Sequence, residues 1–344
     1  MLFTLGMLTL AFSIQPVRVG TITVPDDYPT IQEAINNATD GDTIYVRAGI
    51  YYENVVINKQ NLTLIGENKY TTVIDSAGKN VGVSLKGNNV KIKGFTVRNA
   101  YYSGIEMRPW TCGHVIHDNI VLNNGYGIAG HYDCINISIC HNIITSNNVA
   151  GIEMLFSHST ISHNLISENG KGEFQEYSSG IEIVIGVNSE VIYCVNNTIS
   201  GNTIKNHRIG IWGMHYSEKN LFYHNNFVNN TIQIFSSSNA WNNSVIENYW
   251  SDYAGIDNYS GPYQNETGGD GIGDTPYFID ENNVDRYPLM NPWPPTPSPI
   301  PIGGYAFPTE GYATTKPLTP YIALLEILIA IFILVKRKTI KKGK

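Results

Sequence analysis

An asparagine returns at Asn119, Asn142, Asn164, Asn202, Asn225 and Asn248, at spacings of 23, 22, 38, 23 and 23 residues. Three residues before each stand Ile116, Ile139, Ile161, Ile199, Phe222 and Val245, and two after each stand Val121, Ile144, Ile166, Ile204, Phe227 and Trp250. Five after come Asn124, Asn147, Asn169, His207 and Asn230. Neither apolar column breaks. A period near 23 is too short for a two-helix repeat and fits one coil of a β-solenoid. Short apolar steps punctuated by Asn and Gly read as strands. Identical positions then stack about 4.8 Å apart. The apolar columns become internal ladders. The Asn columns become turn ladders whose amides bond to the coils above and below.

The template also fits "VKIKGFTVRNAYYSGIEM" (90–107), around Phe95, and "DTIYV", "NVVI" and "NLTLIG" (42–66) read as opening coils. A solenoid exposes raw ends that need caps. "TIQEAINNA" (30–38) supplies one: Thr30 and Glu33 form a capping box, and Ile31, Ala34, Ile35 and Ala38 make one apolar helical stripe.

The chain ends read as addressing segments. Residues 1–20 open on MLFTLGMLTLAFSI, the apolar core of a secretory signal without a basic n-region. Residues 291–317 are rich in Pro and Thr and read as a semi-extended stalk. Residues 318–335 form an apolar segment interrupted by Glu326, about 27 Å long as a helix and so able to cross a thin bilayer. The basic tail 336–344 places that end in the cytoplasm by the positive-inside rule. The expected order is signal, exported body (21–290), stalk and anchor, a single-pass membrane protein with its body outside the cell.

The whole chain carries 22 basic and 29 acidic residues, and without the six bases after Val335 the balance is 16 against 29. Such an acidic body argues against nucleic acid, which needs clustered Lys and Arg. Eight Asn-x-Ser/Thr sequons, at Asn37, Asn61, Asn136, Asn196, Asn229, Asn242, Asn258 and Asn265, agree with export and with a glycoprotein.

The segment "VPDDYPTIQEAINNATDGDTIYVRAGIYYENVVINKQNLTLIGE" resembles the N-terminal cap and first coils of pectin-lyase-like right-handed parallel β-helices. The 23-residue repeats resemble those of NosD-like and carbohydrate-binding/sugar-hydrolase proteins. "NYWSDYAGIDNYSG…GGDGIGDTPYFIDENNVDRYPLM" (248–290) is similar to a segment closing many archaeal surface proteins of this type. The resemblance covers roughly residues 21–290. It implies an all-β, single right-handed parallel β-helix with a capping helix, and it leaves the activity open, because this fold hosts lyases, hydrolases, epimerases and inert binders.

Within that frame, the Glu of "GIE" recurs as Glu106, Glu153 and Glu182, with Ala129 between and Trp212 and Gln233 continuing the column. Carboxylates a coil or more apart suit an acid–base pair of the glycosidase kind, or a solvated strand face. An extra loop, "GKGEFQEYSS" (170–179), brings Glu173, Glu176 and Tyr177 nearby, and insertions in solenoids often line a groove. Candidate catalytic residues are Glu153, Glu182 and Glu176. Trp212, Tyr132, Phe156, His215 and Tyr177 are candidates for sugar stacking. His141, His163 and His224 share a column with Asp118, Gly201 and Glu247 and read as a polar outer ladder. Cys112 and Cys134 fall where adjacent coils could join them in a disulfide. Asp270, Asp274 and Asp280 sit among glycines, a calcium set or an Asp/Gly turn, without the EF-hand spacing. The NosD-like resemblance implies copper, yet no Met- or Cys-rich motif is present. The motifs of pectin esterases, polygalacturonases and alginate epimerases are absent too. These readings favour a surface carbohydrate-binding or adhesive protein, with a polysaccharide-processing enzyme and a NosD-type accessory to copper-enzyme assembly as alternatives.

Overall fold

A computed structural model describes residues 20–171, 178–183, 194–213, 217–236, 242–280 and 283–294. The signal segment, most of the stalk, the membrane helix and the basic tail expected from the sequence lie outside these residues, as do Glu173, Glu176, Tyr177 and His215. The chain divides into one compact unit over 1–298 and a second over 299–344, and the described residues all belong to the first. Among them, no helix is long and apolar enough to cross a membrane.

Each coil contributes one short strand to each of three parallel sheets, which hold eleven, nine and eight strands among the described residues. The result is a right-handed parallel β-solenoid of about nine turns. One coil shows the pattern: Val115–His117 on the first face, Ile120–Leu122 on the second and Tyr126–Ile135 on the third. The register follows the sequence columns, with Ile116 opposite Ile139 and Val121 opposite Ile144. Both columns are fully buried, and the core continues through Ile161, Ile199 and Phe222.

Two sharp corners per coil explain the Asn columns. The residue before each reference Asn adopts the left-handed backbone region: Asp118, His141, His163, Gly201, His224 and Glu247 have φ between 52 and 64°. The Asn that follows then points its amide inward. Asn142 Oδ1 accepts from Asn119 N and Nδ2, and Asn164 Oδ1 accepts from Asn142 N and Nδ2. The same pairing runs through Asn202 and Asn225 to Asn248. Each amide also donates to a backbone carbonyl, as Asn164 Nδ2 does to Ile139 O. A second ladder runs through Asn124, Asn147, Asn169, His207 and Asn230. Ser159, Asn197, Asn220 and Asn243 form a third, at the corner between the third face and the first. The glycine of each "GI" pair belongs to the same packing: a Cβ on Gly151 would lie 2.6 Å from Gly180 O, and one on Gly180 would lie 2.7 Å from Gly210 O. No side chain fits there.

Both raw ends are closed. The helix Ile31–Asn37 covers the first coil, with Thr30 Oγ1 accepting from Glu33 N. Glu53, from the next coil, adds a second cap by accepting from Ile31 N and Gln32 N. Gln32 then replaces a missing neighbour strand, exchanging hydrogen bonds with Val56 N and O at the sheet edge. At the other end Asp285, wholly buried, accepts from the backbone N–H groups of Glu247 and Asn248 and from the Trp250 indole. Trp250 is stacked between Phe227 and Tyr277. The body runs past residue 290: Trp293 N donates to Asn226 Oδ1, and its ring lies 3.3 Å from that of His224.

Replacing Asn164 by Ala strands the donors of Asn142 and the carbonyl of Ile139 in a dry corner. We expect a loss of about 2–3 kcal/mol in denaturant unfolding, against no measurable change for Asn265→Gln on the exposed surface.

Candidate functional site

The outer side of the third face carries the glutamate column. The register sets Glu106 opposite Ala129, Ala129 opposite Glu153, Glu153 opposite Glu182 and Glu182 opposite Trp212. The next member is Phe235, not Gln233, which turns inward to bond Asn230 and Asp252. Glu106, Glu153 and Glu182 are all buried, unlike a solvated strand face.

The three carboxyls have different surroundings. Glu106 Oε1 accepts from His131 Nε2 at 2.8 Å and from Arg108 Nη1 at 3.2 Å, and its Oε2 accepts from Ser84 Oγ. Burial pushes this carboxyl up, but His131, Arg108 and Ser84 outweigh it and hold Glu106 below the usual glutamate range. Burial instead pushes Glu153 up to about 7, with the Glu106 charge adding to it and His131 opposing. Glu182, raised by burial and then by the charge of Glu153, reaches about 8. Its Oε2 has no hydrogen-bond partner. Near neutral pH the column therefore holds an ionised Glu106 beside two carboxyls that keep protons well above the ordinary glutamate range, Glu182 more firmly than Glu153.

Two aromatic groups surround the column. Tyr102 and Tyr126 pack edge to face at 5.6 Å. Burial, then the charges of Glu153, Glu106 and Glu182, push the Tyr102 hydroxyl up to about 12, and burial with Glu182 and Glu153 pushes Tyr126 further still. The second group arises from a bulge. Between Gly130 and Cys134 the strand carries more residues than its neighbour, which throws His131 and Tyr132 outward. Tyr132 meets Trp110 of the coil below at 5.3 Å, nearly perpendicular. Trp110 is 70% exposed and has φ +61°, a strained conformation for a tryptophan. Its loop is pinned where Thr111 Oγ1 and Cys134 Sγ both donate to Arg108 O.

The structure brings Glu153, Glu182, Trp212 and Tyr132 to this face, with Trp212 only 7% exposed there, and moves other candidates away. Phe156 is fully buried opposite Cys134 and offers no face to a sugar. All four cysteines are free: Cys112 stands opposite Ile135 and Cys134 points into the core, so the expected disulfide is not formed. Trp110 has no column partner in the repeat, and the lone signal for it was the fragment "MRPW".

The aspartates of the closing segment serve as turn acceptors. Asp270 accepts from Gly261 N and Ile272 N, Asp274 from Asn258 N and Tyr259 N, and Asp280 from Asn283. They do not converge, and among the described residues no group of three His, Cys, Asp or Glu could hold a metal. This applies to calcium and equally to copper. Cys134 and Cys194 spend their thiols on core carbonyls, and His141 and His163 stack on each other at 5.1 Å instead of converging on a point. Seven of the eight sequon asparagines are exposed, namely Asn37, Asn61, Asn136, Asn196, Asn229, Asn258 and Asn265, while the side chain of Asn242 lies outside the description.

The raised carboxyls make a prediction about stability. A folded-state value above the unfolded one favours the fold fully below about pH 4, and that contribution is lost as pH rises through 7 to 8. Thermal melts should show the protein less stable at pH 9 than at pH 6. Glu182→Gln should shrink that difference and raise the melting temperature at pH 9.

The NosD family's sequence model, described as "Periplasmic copper-binding protein (NosD)", matches residues 35–255. A probable ABC transporter binding protein NosD of Stutzerimonas stutzeri is 30% identical over 142 residues, 40% of this chain and 29% of the relative. A cell surface glycoprotein of Methanothermus fervidus is 27% identical over 345 aligned positions, 72% of this chain and 56% of the relative. The chain thus spans less than two thirds of either. The structure of XylC with xylose superposes with a TM-score of 0.56 at 13% identity, covering 70% of this chain and 66% of that one. The Agl-KA catalytic domain gives 0.51 at 17%, covering 70% and 49%. These two likenesses establish the fold. With the family's model matched over residues 35–255, most of the solenoid, the chain belongs to the NosD family.

Proposed function

We propose that this protein works outside the cell, held at the membrane by residues 318–335, and binds a polysaccharide along the outer side of its third face. The observation that carries the reading is Trp110. A tryptophan in a left-handed backbone conformation, with most of its surface in water, costs folding free energy and returns little of it through packing. It packs edge to face on Tyr132, and its loop begins at Arg108, whose guanidinium is fixed on Glu106. That combination suits a sugar, whose C–H face stacks on an aromatic ring while its hydroxyls take hydrogen bonds. The acidic balance of the body is consistent with a neutral or basic glycan. Similarity to a cell surface glycoprotein and the exposed sequons support an envelope setting.

A second reading, a polysaccharide-processing enzyme, draws on the carboxyls themselves. Glu153, raised to about 7, still carries a proton in part of the population at neutral pH and lies two coils from the ionised Glu106, about 9–10 Å along the axis. That is the upper end of the separation an inverting glycosidase uses.

Titration of oligosaccharides into the protein, followed by tryptophan fluorescence, tests the first reading. Binding should shift the emission, and Trp110→Ala should weaken it by about three- to tenfold. Full affinity in Trp110→Ala would contradict the platform. Release of shortened products, lost in Glu153→Gln, would favour the enzyme.

A further inference from the structure

The platform accounts for sugar rings in general but not for the two coils beyond it. There Glu153 and Glu182 stand directly opposite each other on adjacent strands, their backbones about 4.8 Å apart. Glu182 is 6% exposed, and its Oε2 is buried with no partner. A buried carboxyl oxygen left unsatisfied is costly, and a fold that needed only a filler would place an apolar residue there. Ala129 already shows that the column accepts one.

We propose that the glycan bound on this face carries a free amine, and that Glu153 and Glu182 receive it as an ammonium group. This rests on the glycan reading above and specifies the ligand class.

Three kinds of group could satisfy the pair. A hydroxyl supplies one hydrogen bond and leaves both carboxyls protonated. A divalent cation needs a third ligand, and among the described residues no such group of three exists. An ammonium supplies three donors and a full positive charge. It therefore answers the orphaned oxygen and offsets the charge the carboxyls take on when they give up their protons. Tyr102 and Tyr126 add ring faces, and Trp212 follows Glu182 on the next coil, so the surroundings favour a cation over a neutral group. Among the described residues, Glu106 and His131 are the charged groups whose fields reach Glu153, and Arg108 is bound to Glu106. Glu106 is already committed to His131 and Arg108, so these three largely neutralise one another and leave the pair to its ligand. On binding, the ammonium replaces the protons held by the two carboxyls, and these leave to solvent.

The test is calorimetric titration of the full chain at pH 6.5 with three probes: a β-1,4-glucosamine hexamer, its N-acetylated counterpart and a hexalysine peptide. The glucosamine hexamer should bind at least about tenfold more tightly than the acetylated one. Repeating the titration in buffers of different ionisation enthalpy should show proton release. Glu182→Gln and Glu153→Gln should each bring the two hexamers within about twofold of each other, and each should reduce the release. Hexalysine, which has ammonium groups but no sugar ring for Trp110, should bind more weakly than the glucosamine hexamer. Equal binding of the two hexamers by the unaltered protein, without proton release, overturns the amine assignment and leaves the glycan reading standing. Hexalysine binding as tightly as the glucosamine hexamer overturns the sugar part. If neither hexamer binds, the reading beneath the inference fails with it.

Discussion

The structure depends on one hydrogen-bonding unit, the inward asparagine amide at each corner. A turn this sharp exposes backbone N–H and C=O groups to an apolar interior, where each would be costly unpaired. The left-handed residue before each asparagine aims the side chain inward. Its Oδ1 then accepts from the coil on one side while its Nδ2 donates to a carbonyl and to the next amide, as at Asn142, Asn164 and Asn202. The chain of amides must stop at an acceptor that has no N–H of its own to satisfy. Asp285 meets that requirement, taking several N–H groups at once. His207 shows how far the rule stretches: an imidazole with one donor and one acceptor nitrogen can stand in for an amide, and burial keeps it neutral by lowering its value to about 4.

Because the corners and the apolar ladders carry the fold, the outer columns are free to vary. That freedom separates what the sequence revealed from what it did not. The reference column, the two apolar columns and the capping helix were legible because each obeys a period. The glutamate column was legible too, since "GIE" repeats in step with the core. Phe156 was misplaced for a physical reason. The bulge after Gly130 shifts the pairing, so alternation along the chain no longer says which side a residue faces. The same shift projects His131 and Tyr132 outward. Trp110 and Trp293 were missed because neither belongs to a repeat. Their roles come from a pinned loop and from a strap that folds back on His224, and neither contact has a sequence period.

Family membership and local chemistry carry different information here. The NosD match covers the stacked coils, which any parallel β-helix needs, and the described side chains gather no soft or nitrogen ligand set for a metal. The third face of this chain carries a buried run of carboxyls in unequal states, next to an exposed aromatic corner. The stacked coils make that possible. A small globular core would relax around two stacked carboxyls, whereas here the strands that bear them are fixed on both sides by the ladders.

The central claim, that the column pairs one ionised glutamate with two that hold their protons into the neutral range, can be read directly from side-chain carboxyl carbon shifts by NMR across pH 4 to 9. The account predicts two glutamates titrating between about 7 and 8, both signals altered in Glu182→Gln, and a third staying ionised to below the ordinary range. A spectrum in which every glutamate titrates below pH 5 would contradict it.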